Sequence, residues 1–247
     1  MTKIKADNIF ATPLTKVTDF AFDEAVARVF PDMIRRSVPG YTTIIPMIGV
    51  ITEHYAQAGT SCYDLGCSLG ASTLSMRHSL KNKSCELIAI DNSAAMLDRC
   101  RHYIELDNDP TPVTLVCADI NDIEFKPSSV ITLNFTLQFI APDTRLILLR
   151  KIFKALKPGG VLILSEKICY EDPDEQSTLE QLHWDFKRAN GYSELEVSQK
   201  RSALEQVLLP DSLNTHKNRL EEAGFHSSYM WYQCFNFMSL IALKNKP

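Results

Sequence analysis

Five residues, Gly66-Cys67-Ser68-Leu69-Gly70, fit two different chemistries. As Gly-x-Ser-x-Gly they match the sharp turn that presents the nucleophilic serine of many hydrolases. Such a serine needs an acid and a histidine downstream. His183, His216 and His226 follow in order, but the first two fall in charged stretches with helical spacing. His226 just follows a helix stop at Gly224, and no HGGG-like oxyanion segment precedes the turn. The turn also follows what reads as the first strand, whereas the hydrolase elbow normally comes after several. The second chemistry is the turn of a nucleotide-binding strand–loop–helix, with Ser68 where a glycine is usual. Here Gly66, Cys67 and Ser68 form a cradle and catalyse nothing themselves.

The cradle reading predicts an acid at the tip of the next strand, about 20 residues on, to hold ribose hydroxyls. "LIAID" ends there in Asp91, with Asn92 beside it. A third strand, "PVTLVCAD", carries Asp119 and then Ile120 to the same rim, where an acid and a backbone amide can read an adenine edge. A fourth delivers Asn134 from "LNFTLQF". Each signal alone is weak, since an aspartate ending a strand is often only a helix N-cap. Together, four strands bring polar residues to the edge where parallel sheets bind ligands.

These residues need a scaffold. From Ser61 to Lys167, short aliphatic runs alternate with amphipathic stretches: "SCYDLGC", "CELIAID", "PVTLVCAD", "SSVITLNFTLQFI" and "VLILSEK" read as strands. "ASTLSMRHSL", "SAAMLDRCRHYIEL" and "PDTRLILLRKIFKAL" between them read as helices. That alternation predicts a parallel sheet covered on both faces. Before it, residues 1–58 read as a helical extension: a helix after Asp23 that Pro31 interrupts or restarts, a turn at "VPGY", then a long apolar helix ending near Gly59. "KPGG" reads as a turn before the fifth strand. Residues 166–213 are long, charged and mostly helical, too long for an ordinary connection. They predict a functional insertion. "NTHKNRLEEAGF" reads as a helix stopped at Gly224, and "SSYMWYQCFNFMSLIALK" as an antiparallel hairpin around Asn236 that completes the sheet.

Bulk properties narrow the classes. The 247 residues suffice for one sizeable α/β domain, and the net charge of −4 announces no nucleic-acid surface. Seven cysteines, an odd number without a C-x-x-C pair, argue against a disulfide framework or a zinc site, and no metal is expected. No apolar run is long enough to span a membrane, and the first ten residues lack a signal-peptide core. The expectation is a soluble protein of the reducing cytoplasm.

The order of these motifs resembles the class I S-adenosylmethionine-dependent methyltransferase fold. "DLGCSLG" corresponds to its glycine-rich first motif, "IAIDNS" to the ribose-binding acid, "CADI" to the adenine side and "LKPGG" to the turn before strand five. The resemblance implies a Rossmann-like, seven-stranded, mostly parallel sheet with an antiparallel C-terminal hairpin. It leaves the reaction open.

The flanks are more specific. "FDEAVARVFPDMIRRSVPGY", "YDLGCSLGASTLS", "IAIDNSAAM", "LNFTLQF", "DFKRANGYSELEVSQKRSALE" and "QCFNFMSLIALK" resemble the carboxy-S-adenosyl-L-methionine synthase family over nearly the whole chain. The resemblance implies a substrate pair, S-adenosylmethionine and prephenate, and a product pair, carboxy-S-adenosylmethionine and phenylpyruvate. The carboxylated product then serves modification of the tRNA wobble uridine, so this chain makes the reagent without having to bind RNA. In the implied mechanism, prephenate loses carbon dioxide and its ring hydroxyl as the ring becomes aromatic. A base removes a methyl proton from the sulfonium, and the ylide captures the carbon dioxide. The resemblance assigns Arg201 to the new carboxylate, a task suited to a guanidinium, and Tyr41 to cofactor contact. Without it, "SQKRSALE" would be a solvated basic face and Tyr41 an ordinary boundary tyrosine. His183 and Trp184 are candidates for the substrate side, although helix packing explains Trp184 equally well. A homodimer through the insertion is expected. An ordinary methyltransferase of a small molecule or RNA, and a non-catalytic cofactor-binding protein of tRNA modification, remain the rivals at this point.

Overall fold

A computed structural model describes residues 5–14, 20–81 and 83–245. Residues 1–4 and 15–19 of the predicted N-terminal extension lie outside the described residues.

Five parallel strands form the centre: β1 (Ser61–Leu65), β2 (Glu86–Asp91), β3 (Val113–Cys117), β4 (Ser128–Asn134) and β5 (Leu156–Cys169). A two-residue β6 (Asp211–Ser212) pairs with the end of β5, and β7 (Ser227–Cys234) and β8 (Phe237–Leu243) form the hairpin. The sheet order is β3-β2-β1-β4-β5-β8-β7, with β8 antiparallel to β5. The predicted seven strands are therefore present, joined by the short β6. The chain reverses direction of travel across the sheet at β1, so β1 and β4 splay their following loops to either side. That switch point is where ligands bind in such sheets.

Side chains alternate between two cores, as the period of a strand requires. Tyr63, Leu65, Ile131, Leu133, Leu162 and Leu164 face α5 (Pro142–Ala155) and α8 (Leu213–Ala223). Cys62, Leu87, Val130, Val161 and Ile163 face α2 (Tyr41–Tyr55) and α3 (Ala71–Ser79). Beside them, α4 (Ala94–Leu106) packs Leu97 and Cys100 against Ala89.

Two expectations are corrected. Pro31 does not interrupt α1 (Glu24–Ser37), which runs through it. The proline removes one amide donor, but Val26, Ala27, Val29 and Met33 are buried with Leu69 and Met96, and that packing holds the helix together. Nor does "KPGG" break the strand. Pairing with β4 passes from Ser128–Leu156 to Val130–Val161, so the extra residues form a bulge inside β5. The helix stop at Gly224 is as expected: it adopts φ 113°, and a Cβ there would fall 2.6 Å from the Phe153 ring.

The insertion is two helices, α6 (Pro173–Ala189) and α7 (Glu194–Leu204). Asp172 caps α6, and Ser193 with Glu196 forms a reciprocal capping box at α7. Both helices and α1 lie over the C-terminal ends of the parallel strands, where they enclose a cavity.

Candidate active site

The loop after β1 is fixed before any ligand arrives. The amides of Gly66 and Cys67 both donate to the Ile90 carbonyl, at 2.8 and 2.9 Å. Gly66 takes φ 74°, and a Cβ there would lie 2.4 Å from the Thr136 side chain. Thr136 in turn donates its hydroxyl to the Leu65 carbonyl at 2.9 Å, so the β1 and β4 loops lock together. Ser68 sits at φ 50°, a strained position for a residue with a side chain. Its amide donates to Asp91 Oδ2 at 2.8 Å, and the Ser93 amide donates to Oδ1 at 2.9 Å. The carboxylate is thereby oriented by two backbone donors, while burial pushes its pKa up. Its remaining lone pairs can accept hydroxyls.

Asp119 realises part of the bland reading. Its Oδ1 accepts the Asn121 amide at 2.8 Å and caps a turn of 3-10 helix at Ile120–Asp122. Its Oδ2 has no hydrogen-bond partner among the described residues. Asn134 donates through Nδ2 to Ser72 Oγ at 3.2 Å, whereas its Oδ1 is buried without a partner among the described residues. An orphaned buried acceptor costs free energy unless a donor reaches it, and a ligand ammonium would supply one.

The loop after β4 is held from the sheet. Glu166, fully buried on β5, accepts the amides of Leu137 and Gln138 at 2.9 and 2.8 Å. Burial raises its pKa to about 8. Arg145, also fully buried, donates to the carbonyls of Ile140, Gln138 and Leu209 and pairs with Asp211.

The cavity has a volume of about 870 Å³. All ten residues singled out in the sequence border it: Tyr41, Gly66, Cys67, Ser68, Asp91, Asn92, Asp119, Ile120, Asn134 and Arg201. His183 and Trp184 border it too, whereas His216 and His226 do not. No hydrolase pair forms: Ser68 Oγ meets the Met96 thioether at 3.5 Å, and His183 Nε2 donates to the Ser37 carbonyl at 2.8 Å. The Arg201 guanidinium lies 5.3 Å from the Trp184 ring centroid, a cation–π arrangement, with no carboxylate paired to it among the described residues.

Two features escaped the sequence reading. Asp64 in β1 is fully buried, accepts the Thr73 hydroxyl at 2.6 Å, and leaves Oδ1 without a partner among the described residues. Burial raises its pKa to about 7. An acid in the otherwise apolar "CYDL" was the available signal. The other is Lys187, which lines the cavity from α6 although only 7% exposed. Nothing in the charged sequence around it marks it as buried.

Sheet order, switch-point cavity and strand-end acids together define a class I S-adenosylmethionine-dependent methyltransferase fold. A model of the methyltransferase domain matches residues 63–160. A putative S-adenosylmethionine-dependent methyltransferase from Methanococcus maripaludis superposes with a TM-score of 0.59, covering 95% of this chain and 99% of that one at 19% identity. Human N-acetylserotonin methyltransferase in complex with its cofactor gives 0.60, covering 90% and 56% at 15% identity. Those likenesses carry the fold alone.

Sequence relatives go further. Carboxy-S-adenosyl-L-methionine synthases from Marinobacter nauticus and Escherichia coli are 60% and 57% identical to this chain. The first match covers 97% of this chain and 95% of the relative, the second 96% of each. A Geobacter relative of the same name is 57% identical over 97% of this chain and 99% of its own. The chain belongs to the carboxy-S-adenosyl-L-methionine synthase family, transferases built on the methyltransferase fold.

Proposed function

We propose that the chain carboxylates the methyl carbon of S-adenosylmethionine at the expense of prephenate, releasing phenylpyruvate. The observation that carries this reading is a cavity combining a nucleoside-binding rim with two cations, Arg201 and Lys187, that have no acid partner among the described residues. A methyl transfer to a neutral acceptor has no use for such a pair. A dicarboxylate substrate and a carboxylated product do.

In this reading Asp91 and Asn92 hold the ribose, and Asp119 and Ile120 flank the adenine. Gly66, Cys67 and Ser68 contact the amino-acid end, where Asn134 Oδ1 accepts from the ammonium. Tyr41 closes the methyl side, and Arg201 receives the carboxylate as it forms, through two parallel hydrogen bonds. The chemistry asks for proximity and exclusion of water more than for a protein nucleophile. Helices α1, α6 and α7 supply that cover. Volume is adequate, since ligand sites of about 300–1,000 Å³ hold molecules of this size.

Mass spectrometry after incubation with S-adenosylmethionine, with and without prephenate, tests the proposal. A product heavier by one carboxyl group should form only with prephenate. A methylated species, or no carboxylated one from folded protein, would refute it.

The product is a reagent for tRNA wobble-uridine modification in this proposal, made in the cytoplasm without RNA contact. The acidic net charge of −4 and seven unpaired cysteines are in keeping with that, and no helix among the described residues is long and apolar enough to cross a membrane. A homodimer through the insertion is supported by exposed Leu182 on α6 and Leu195 on α7. Light scattering should give twice the chain mass.

A further inference from the structure

Lys187 presents a problem of charge. Its side chain is enclosed between α6 and its neighbours, yet no hydrogen bond or ion pair reaches its ammonium among the described residues. A nearby buried lysine shows the contrast. Lys200 on α7 has Asp7 at 3.3 Å, Ser37 Oγ at 3.0 Å and the Tyr192 hydroxyl at 3.4 Å. Burial above all, and then the like charge of Lys200 and of Lys167 on β5, lowers the Lys187 pKa to about 7. Its neighbour one turn earlier, His183, gives its ring proton to the Ser37 carbonyl, and its Nδ1 is buried without a partner among the described residues. Glu180 acts on Lys167, but no carboxylate among the described residues offsets Lys187.

A buried cation without a counter-charge is costly. The cavity is the side from which a counter-charge can come, and the fitting group is a carboxylate. Lys187 is three residues beyond Trp184, about 4.5 Å along the helix, and Trp184 carries the Arg201 guanidinium. Two cations, the exposed Arg201 and the enclosed Lys187, thus border one stretch of α6.

The two carboxylates of a dicarboxylate substrate are not equivalent. One departs as carbon dioxide and sheds its negative charge in the transition state. A desolvated ammonium against it would favour the ground state and raise the barrier. The other keeps its charge throughout, so a tight grip on it costs the reaction nothing. We propose that Lys187 is the seat of the retained carboxylate: in the prephenate reading, on which this assignment rests, the side-chain carboxylate that leaves with phenylpyruvate.

Two measurements test it on the full-length protein. In turnover, Lys187→Met should raise the KM for prephenate at least about tenfold, the scale of a lost hydrogen bond to a charged group. The KM for S-adenosylmethionine should stay within about twofold. Lys187→Arg should recover part of the loss. Separately, calorimetry with phenylpyruvate reads the seat without any chemistry: its Kd should weaken by about tenfold or more in Lys187→Met. Lys187→Gln repeats both measurements should the methionine variant not fold. An unchanged Kd for phenylpyruvate overturns the assignment. So does an equal loss for S-adenosylmethionine, which would put that molecule's own carboxylate on Lys187. Failure of the wild type to form carboxylated product would instead refute the proposed reaction, and the phenylpyruvate titration would still decide the seat.

Discussion

On the sheet side of the cavity, the acids that position the loops meet donors inside the fold, while Asn134 Oδ1 and Asp64 Oδ1 have no partner among the described residues. Asp91 takes two backbone amides, Glu166 takes two more, and Asp119 caps the turn beside it. On the insertion side, the exposed Arg201 and the enclosed Lys187 meet no acid among the described residues. The first wall is preorganised, so a ligand there pays little to order it. The second holds charge in suspense until an anion arrives. The division matches the proposed chemistry, in which the nucleoside is bound by the sheet wall and the acid by the insertion wall.

The largest effect that would sharpen this contrast comes from Asp91→Ala. It removes the ribose acceptor and leaves the Ser68 amide without its partner. Calorimetry should show S-adenosylmethionine binding weakened by at least about a hundredfold. Next is Arg201→Ala, which should weaken carboxy-S-adenosylmethionine by about 10- to 100-fold. Because nothing on the sheet wall changes, S-adenosylmethionine itself should be affected far less. Equal losses for both ligands would break the comparison.

Stability gives a third test with the opposite sign. Lys187→Met removes an uncompensated buried charge, so the ligand-free protein should melt a few degrees higher. The gain should depend on pH. In the folded chain Lys187 titrates near 7, while in the unfolded chain a lysine titrates near about 10.4. Between those values the unfolded state binds the extra proton, so the wild type gains stability as pH rises through that window. The advantage of Lys187→Met should therefore be greatest at and below pH 7 and fade by about pH 10. Thermal melts across that range check it, and a pH-independent difference would count against the unpaired charge.

The smallest effect belongs to Ser68→Ala. The backbone amide that meets Asp91 survives, and only the hydroxyl near Met96 is lost. Binding of S-adenosylmethionine should weaken a few-fold, with turnover at saturation retained. Loss of all turnover would revive the nucleophile reading.

Much of this was legible in advance. Strand ends at Asp91 and Asn134, and Asp119 just past the end of β3, follow from aliphatic runs whose lengths are local facts. Asp23 capping α1 and Gly224 ending α8 are local as well. Where the sequence reading failed, a distant surface had intervened. Pro31 should have broken a helix on its own, but the α1 face packed on Leu69 and Met96 held it. "KPGG" had the look of a turn until pairing with β4 and β8 drew it into a bulged strand.

The sequence by itself determined the order of strands and helices, the cradle of Gly66 to Ser68 and the strand-end acids, because each depends on residues close together in the chain. Tertiary structure alone decided which charges are buried and unpaired. "HWDFKRANGY" has the composition of a solvated helix. Only the packing of α6 against α1 and α7 over the sheet turns Lys187 inward, leaves it 7% exposed and sets it facing the cavity. Desolvation depends on what surrounds a group in space, and no periodicity in its own segment encodes that.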